Sequence, residues 1–145
     1  MKTQLIVSSL IAAGFLLPAS LTHAGELSVT ITDVRAHKGT LSVAVVNTEA
    51  AWDNQEKPVA AERLALTEDR KTGPVEFKFT LPAGNYAVQV MHDENDNGTL
   101  DTNVMGIPVE GYGFSNNPQV MRRAHFSEAK FAVTEAPSAI TIRLR

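Results

Sequence analysis

Apolar and polar residues alternate with a period of two over much of the chain. Leu27, Val29 and Ile31 alternate with Ser28, Thr30 and Thr32, the pattern of a strand with one buried face. Lys38-Gly39 is a turn signal, and Thr40 to Asn47 follows as a second strand. Together they predict an opening hairpin. The alternation is clearest at Val75, Phe77, Phe79 and Leu81, which face away from Glu76, Lys78 and Thr80. Pro82 to Asn85 is a turn, with Pro fixing φ and Gly84 free to take unusual values. Tyr86, Val88 and Val90 then alternate with Ala87, Gln89 and Met91, so a second hairpin is expected here.

Other segments are less periodic. Ala50 to Glu56 suits a loop or a short helix. Val59 to Thr67 has helix-forming residues but lies between strands, and both assignments stay open. Ala129 to Val133 and Ile140 to Leu144 predict two closing strands. No amphipathic helix of three turns or more is visible. About seven strands at this spacing predict an all-β fold, an antiparallel β-sandwich of the immunoglobulin-like or transthyretin-like kind.

Residues 1–24 break from this pattern. Lys2 precedes an apolar run from Leu5 to Leu17, and Thr22-His23-Ala24 places small residues at a cleavage site. These features predict a secretory signal peptide cut after Ala24, leaving residues 25–145 as a single domain. The run is short for a bilayer span of ~20 residues, so no membrane span is expected after its removal. The expected location is periplasmic or secreted. The chain has 145 residues and no cysteine, which excludes disulfides, thiolate metal sites and a cysteine nucleophile. Its net charge of −3 argues against a nucleic-acid partner, which requires a basic face.

Candidate chemistry lies between His92 and Pro118. Asp93, Asn95 and Asn97 stand two apart, Gly98 follows and Asp101 comes three later. This matches the first half of a calcium loop, in which alternate side-chain oxygens and the next carbonyl converge on one ion. The predicted Ca2+ ligands are Asp93, Asn95, Asn97, the Thr99 carbonyl and Asp101. The twelfth loop position is Val104, so the bidentate Glu of a complete loop is missing, and a weak site is expected. The competing assignment is a solvated turn in which Asp and Asn side chains bond their own backbone.

Residues 105–118 hold three glycines and two prolines. Long loops of this kind are often functional. Glu110, Tyr112, Phe114, Asn116 and Asn117 are candidate ligand-binding residues, with the two rings available to stack on a sugar. Alternatively the rings close one end of the sandwich and the two Asn residues satisfy loop backbone. His92, Asp93 and Glu110 form the set a small hydrolase or isomerase would use. His92, Asp93 and His125 could make a zinc site, but their spacing does not recommend it. Arg122-Arg123 reads as a solvated basic pair, and Trp52 as a core residue.

The stretch from Phe77 through Leu81-Pro82, Gly84, Tyr86, Val88 and Val90 to His92-Asp93-Glu94-Asn95, then Asn97-Gly98 and Gly106 to Asn117, resembles a bacterial exported family known as domain of unknown function 2141. Phe126, Ala129 and Phe131 resemble its downstream part. The likeness covers nearly all of residues 25–145. It implies no activity, because none is established for the family. The strand–Pro-x-Gly–Tyr–strand segment also resembles transthyretin-like domains, which bears on fold and not on function. The sequence therefore predicts an exported, non-enzymatic β-sandwich. A calcium loop would order the Gly-rich loop beside it, and the combined surface would bind a glycan or an envelope protein. A purely structural envelope role, without metal, is the other alternative.

Overall fold

The alternating segments become strands, but they pair differently from the expectation. The computed structural model describes residues 23–69 and 73–145; residues 1–22, on which most of the leader expectation rests, lie outside them. One sheet contains β1 (Ala24–Thr32), β4 (Val75–Pro82) and β8 (Ser138–Arg143) in the order β4-β1-β8. The second contains β2 (Thr40–Val46), β3 (Ala60–Ala65), β5 (Gly84–Asp93) and β6 (Gly111–Phe114) in the order β3-β2-β5-β6. A short β7 (Phe131–Val133) pairs with the start of β5. All pairings are antiparallel except β1 with β8, which is parallel. The result is an all-β sandwich.

Neither expected hairpin forms. β1 and β2 lie in different sheets, and so do β4 and β5. Alternation shows that a strand has one buried face; it does not show which sheet supplies that face. β4 and β5 are separated only by Ala83, so the chain turns a corner from one sheet to the other. The buried Tyr86 fixes that corner by donating its hydroxyl to the Pro82 carbonyl at 2.9 Å.

Between the sheets lies a core of aliphatic and aromatic side chains. Leu27, Val29 and Ile31 of β1 and Phe77 and Phe79 of β4 meet Leu41, Val43 and Val45 of β2 and Val88 and Val90 of β5. Fully burying one such side chain is worth roughly 1.5–3 kcal/mol. At one edge the sheets are stitched together, because Arg145 and Tyr112 exchange backbone hydrogen bonds of 3.0 and 3.3 Å. β6 carries glycine at this seam for want of space. A Cβ on Gly113 would stand 2.7 Å from Ile142 Cγ2.

A second, smaller core covers the outer face of the β2–β5–β6 sheet. Val46, Ala87 and Phe114 point outward from their strands and meet Trp52, Phe126, Ala124 and Ala129. Trp52 arrives on α1 (Glu49–Asp53), a short helix whose N-cap Thr48 accepts the Ala51 N–H at 3.2 Å. Phe126 and Ala129 arrive on α2 (Phe126–Ala129). Trp52 donates its indole N–H to the Ala124 carbonyl at 2.9 Å, and its ring packs edge or tilted against Phe114 and Phe126. The segment Val59 to Thr67 resolves as the edge strand β3, and 50–56 begins as a helix. β6 and α2 were not expected from the sequence.

Candidate functional site

β5 and β6 are neighbours in one sheet, and residues 94–110 connect them. The strand pair thus brings the Asp/Asn loop and the Gly-rich loop to one end of the sandwich. His92 and Asp93 end β5 and are fully buried. His92 places Nε2 2.8 Å from the Lys38 carbonyl, which requires the proton on that nitrogen. Its Nδ1 is buried without a hydrogen-bond partner.

Asp93 organises the loop from beneath. Its two carboxylate oxygens accept the N–H groups of Asn97 (3.1 Å) and Gly98 (2.7 Å). Asp96 takes a positive φ of 58° just before this turn, a conformation that Asp and Asn tolerate better than most residues. Asn95 Oδ1 also accepts the Asn97 N–H at 3.1 Å, and Asn97 Oδ1 accepts the Thr99 N–H at 2.9 Å. Above this turn Asp101 faces both amides. Asn95 Nδ2 and Asn97 Nδ2 donate to its two oxygens at 2.7 and 2.9 Å. Four of the five expected ligand residues, Asp93, Asn95, Asn97 and Asp101, therefore gather around one turn of backbone. The Thr99 side chain bonds back to Asn97 Oδ1 at 2.9 Å.

The expected ligand pattern differs from the observed donors in one respect. Toward Asp101 the Asn side chains present nitrogen rather than oxygen. Among the described residues no three His, Asp or Glu side chains converge as a metal-holding group. That observation covers the His92, Asp93 and His125 set as well; His125 is exposed at the start of α2.

Glu110 braces the other side of the loop. It is buried, and its oxygens accept the N–H groups of Glu94 (2.9 Å) and Asp101 (2.9 Å). Arg35 closes the base, donating to Glu94 Oε1 at 3.1 Å and to the Val109 carbonyl at 3.0 Å. His92, Asp93 and Glu110 are all buried and bonded to backbone, and the one polar atom among them without a partner, His92 Nδ1, is itself buried. An open cleft of about 260 Å3 lies elsewhere, lined by Asn117, Gln119, Arg143, Leu144 and Arg145.

The remaining candidate ligand-binding residues serve packing and turns. Phe114 is buried in the second core. Tyr112 is half-buried beside it, under the Arg145 guanidinium, 5.8 Å from the ring centre. Asn116 and Asn117 both have positive φ, 63° and 47°. Asn116 donates to the Glu128 and Lys130 carbonyls, and Asn117 bonds the Thr141 carbonyl and the Arg143 N–H. Together they pin the end of β6 to the α2–β7 segment and to β8.

The Arg122-Arg123 pair is not simply solvated. Arg122 forks onto Glu128 at 2.8 and 2.9 Å. This contact, and then the His125 N–H, holds the Glu128 carboxyl well below its ordinary range, at about 2. Arg123 lies over the Trp52 ring, 4.9 Å from its centre, and donates to Gln89 at 3.0 Å. Nothing in the sequence spacing announces either contact.

A family profile described as "Uncharacterized protein conserved in bacteria", domain of unknown function 2141, matches residues 29–141. No curated protein and no solved structure matches the chain.

Proposed function

The chain belongs to that bacterial family of uncharacterized proteins, and with no activity to inherit from it we propose that this domain is an exported, calcium-stabilised binding module. The Asp93–Asp101 loop takes the ion, and the ion fixes the β5–β6 connection as a recognition surface for an envelope protein or glycan. One observation carries the reading: the Asp101 carboxylate faces the Asn95 and Asn97 amides across 2.7 and 2.9 Å. An amide has nearly the same shape at both ends, so turning each by half a revolution replaces nitrogen with oxygen, at the cost of the bonds their oxygens now accept from the Asn97 and Thr99 N–H groups, which the ion must offset. The three side chains then offer oxygens toward one point, the donor type a hard cation prefers. Asp93 and Glu110 support the reading by holding the loop backbone through four of its N–H groups.

Fewer charged ligands than in a complete calcium loop imply weak binding, on the order of 0.1 mM. At ~10 mM calcium, mass action then stabilises the fold by about 2.7 kcal/mol. For a domain of this size the Tm should rise on the order of 10 °C relative to EDTA. Asp101→Asn keeps the shape of the side chain and should abolish the rise, measured against the variant's own EDTA melt, which gives up one of the two amide bonds to Asp101. No rise in the wild type, or an equal rise in Asp101→Asn, overturns the calcium reading and leaves the loop as a self-bonded turn.

A further inference from the structure

Asn97-Gly98 is the one Asn-Gly pair in the chain. The side-chain carbonyl carbon of an asparagine can be attacked by the backbone nitrogen of the next residue, which closes a five-membered imide ring. The two groups are joined through a single carbonyl, so the attack is intramolecular and needs no encounter. A glycine in second place leaves that nitrogen without a side chain beside it. Gly98 has a φ of 84°, and nothing lies within 4 Å of where a Cβ would stand. Asn97 itself is exposed, so water can reach the amide and a released group can leave.

The turn surrounds this pair with the groups that such a ring closure uses. Gly98 donates its N–H to Asp93 Oδ2 at 2.7 Å, so a buried carboxylate faces the proton that must leave. Asn97 Oδ1 accepts the Thr99 N–H and the Thr99 hydroxyl, both at 2.9 Å. Negative charge develops on that oxygen during the attack, and two donors already point at it. Asn97 Nδ2 lies 2.9 Å from Asp101 Oδ1. That contact settles which end of the amide takes the charge and which end departs. Other asparagines lack part of this set. Asn103 Oδ1 also accepts two N–H groups, but the next residue is the β-branched Val104. Asn117 precedes Pro118, which has no N–H to give up.

We infer that Asn97 is a self-modification site, at which the folded loop converts its own asparagine to aspartate or isoaspartate through a succinimide. The Gly98 nitrogen passes its proton to Asp93 Oδ2 and bonds to Asn97 Cγ. Oδ1 carries the negative charge under the two Thr99 donors. As the carbonyl re-forms, the Cγ–Nδ2 bond breaks, and the nitrogen takes a proton from water and leaves as ammonia. The hydroxide that remains adds to either ring carbonyl. The ring C–N bond then breaks, and the Gly98 nitrogen recovers its proton from Asp93. One water is consumed and one ammonia released, with no oxidant or cofactor. In the aspartate product a carboxylate stands where Asn97 Nδ2 now donates to Asp101, so like charges meet and the loop must rebond. This goes beyond the calcium reading and does not require the ion.

The test follows the mass of the purified protein over time in EDTA, both folded and unfolded in urea, with peptide mapping to locate the change. The wild type should gain about 1 Da at Asn97. The folded form should convert on the order of tenfold faster than the urea-unfolded chain, because only folding aligns Asp93 and the two Thr99 donors. Asn97→Gln, longer by a methylene, should stay unconverted over the same time. Thr99→Val removes the hydroxyl donor from an exposed side chain. It should melt like the wild type, convert severalfold more slowly when folded, and match the wild type in urea. The inference is overturned by a folded wild type that gains no mass at Asn97. It is overturned too by a folded rate no faster than the rate in urea, which would make these bonds a restraint. A Thr99→Val variant that converts at the folded wild-type rate has the same consequence. Conversion in EDTA without any calcium-dependent melt would sink the calcium reading and leave this one standing.

Discussion

The Glu110 carboxylate accepts the Asp101 N–H at 2.9 Å while its other oxygen accepts the Glu94 N–H at the same distance. One buried side chain just before β6 thus spans both sides of the Asp/Asn loop. Glu110→Gln keeps the volume but turns one acceptor into a donor facing an N–H. The expected loss is about 1–3 kcal/mol, measured by urea unfolding. A change within error would show that the loop holds its shape without this brace.

Trp52 is the centre of the outer core, with its ring between Phe114 and Phe126 and its N–H on the Ala124 carbonyl. Trp52→Ala should cost about 3–5 kcal/mol. Trp52→Phe, which keeps most of the apolar bulk, should cost less but strand the buried Ala124 carbonyl. Urea unfolding followed by circular dichroism ranks the two, and equal small losses would deny the outer core a stabilising role.

Gly39 sits at a φ of 76°, and a Cβ there would stand 2.0 Å from the Asp93 carbonyl oxygen. Gly39→Ala should therefore be destabilising by more than the ~1–2 kcal/mol of the left-handed conformation alone. Because the clash is against backbone at the end of β5, the Asp/Asn loop should shift with it. Amide exchange at Asn97 and Gly98 reads that shift directly. Unchanged protection would refute the coupling.

Glu128 has its folded pKa lowered, first by the Arg122 fork and then by the His125 N–H. The stabilisation is fully present above the ordinary carboxylate pKa near 4.5 and is lost as pH falls through about 2. Trp52 emission, from the neighbouring core, should report loosening of α2 in that window. Glu128→Gln should flatten the acid limb. A wild-type and variant pair with the same acid profile would show the fork to be without consequence.

The alternation in β1, β2, β4 and β5 was legible because a strand with one buried face must repeat every two residues. The same rule does not assign strands to sheets, so the β1–β2 and β4–β5 pairs look like hairpins along the chain although they are crossings between layers. β6 was hidden by its own composition. Gly111 and Gly113 occupy its inward positions, so the apolar pattern appears on the outward Tyr112 and Phe114, which cover the outer face with α1 and α2.

The Asp93, Asn95, Asn97 and Asp101 cluster was visible as spacing, since a tight loop brings alternate side chains to one side. Sequence alone fixed which residue types gather there and that a turn would hold them. Three-dimensional packing decided the rest. It buried Glu110 under the loop, turned Phe114 and the Asn116-Asn117 pair to structural work, and left Val104 and Met105 exposed. Those outcomes depend on contacts between residues far apart in the chain, such as Glu110 with Glu94 and Asn117 with Thr141. A local pattern carries no information about them.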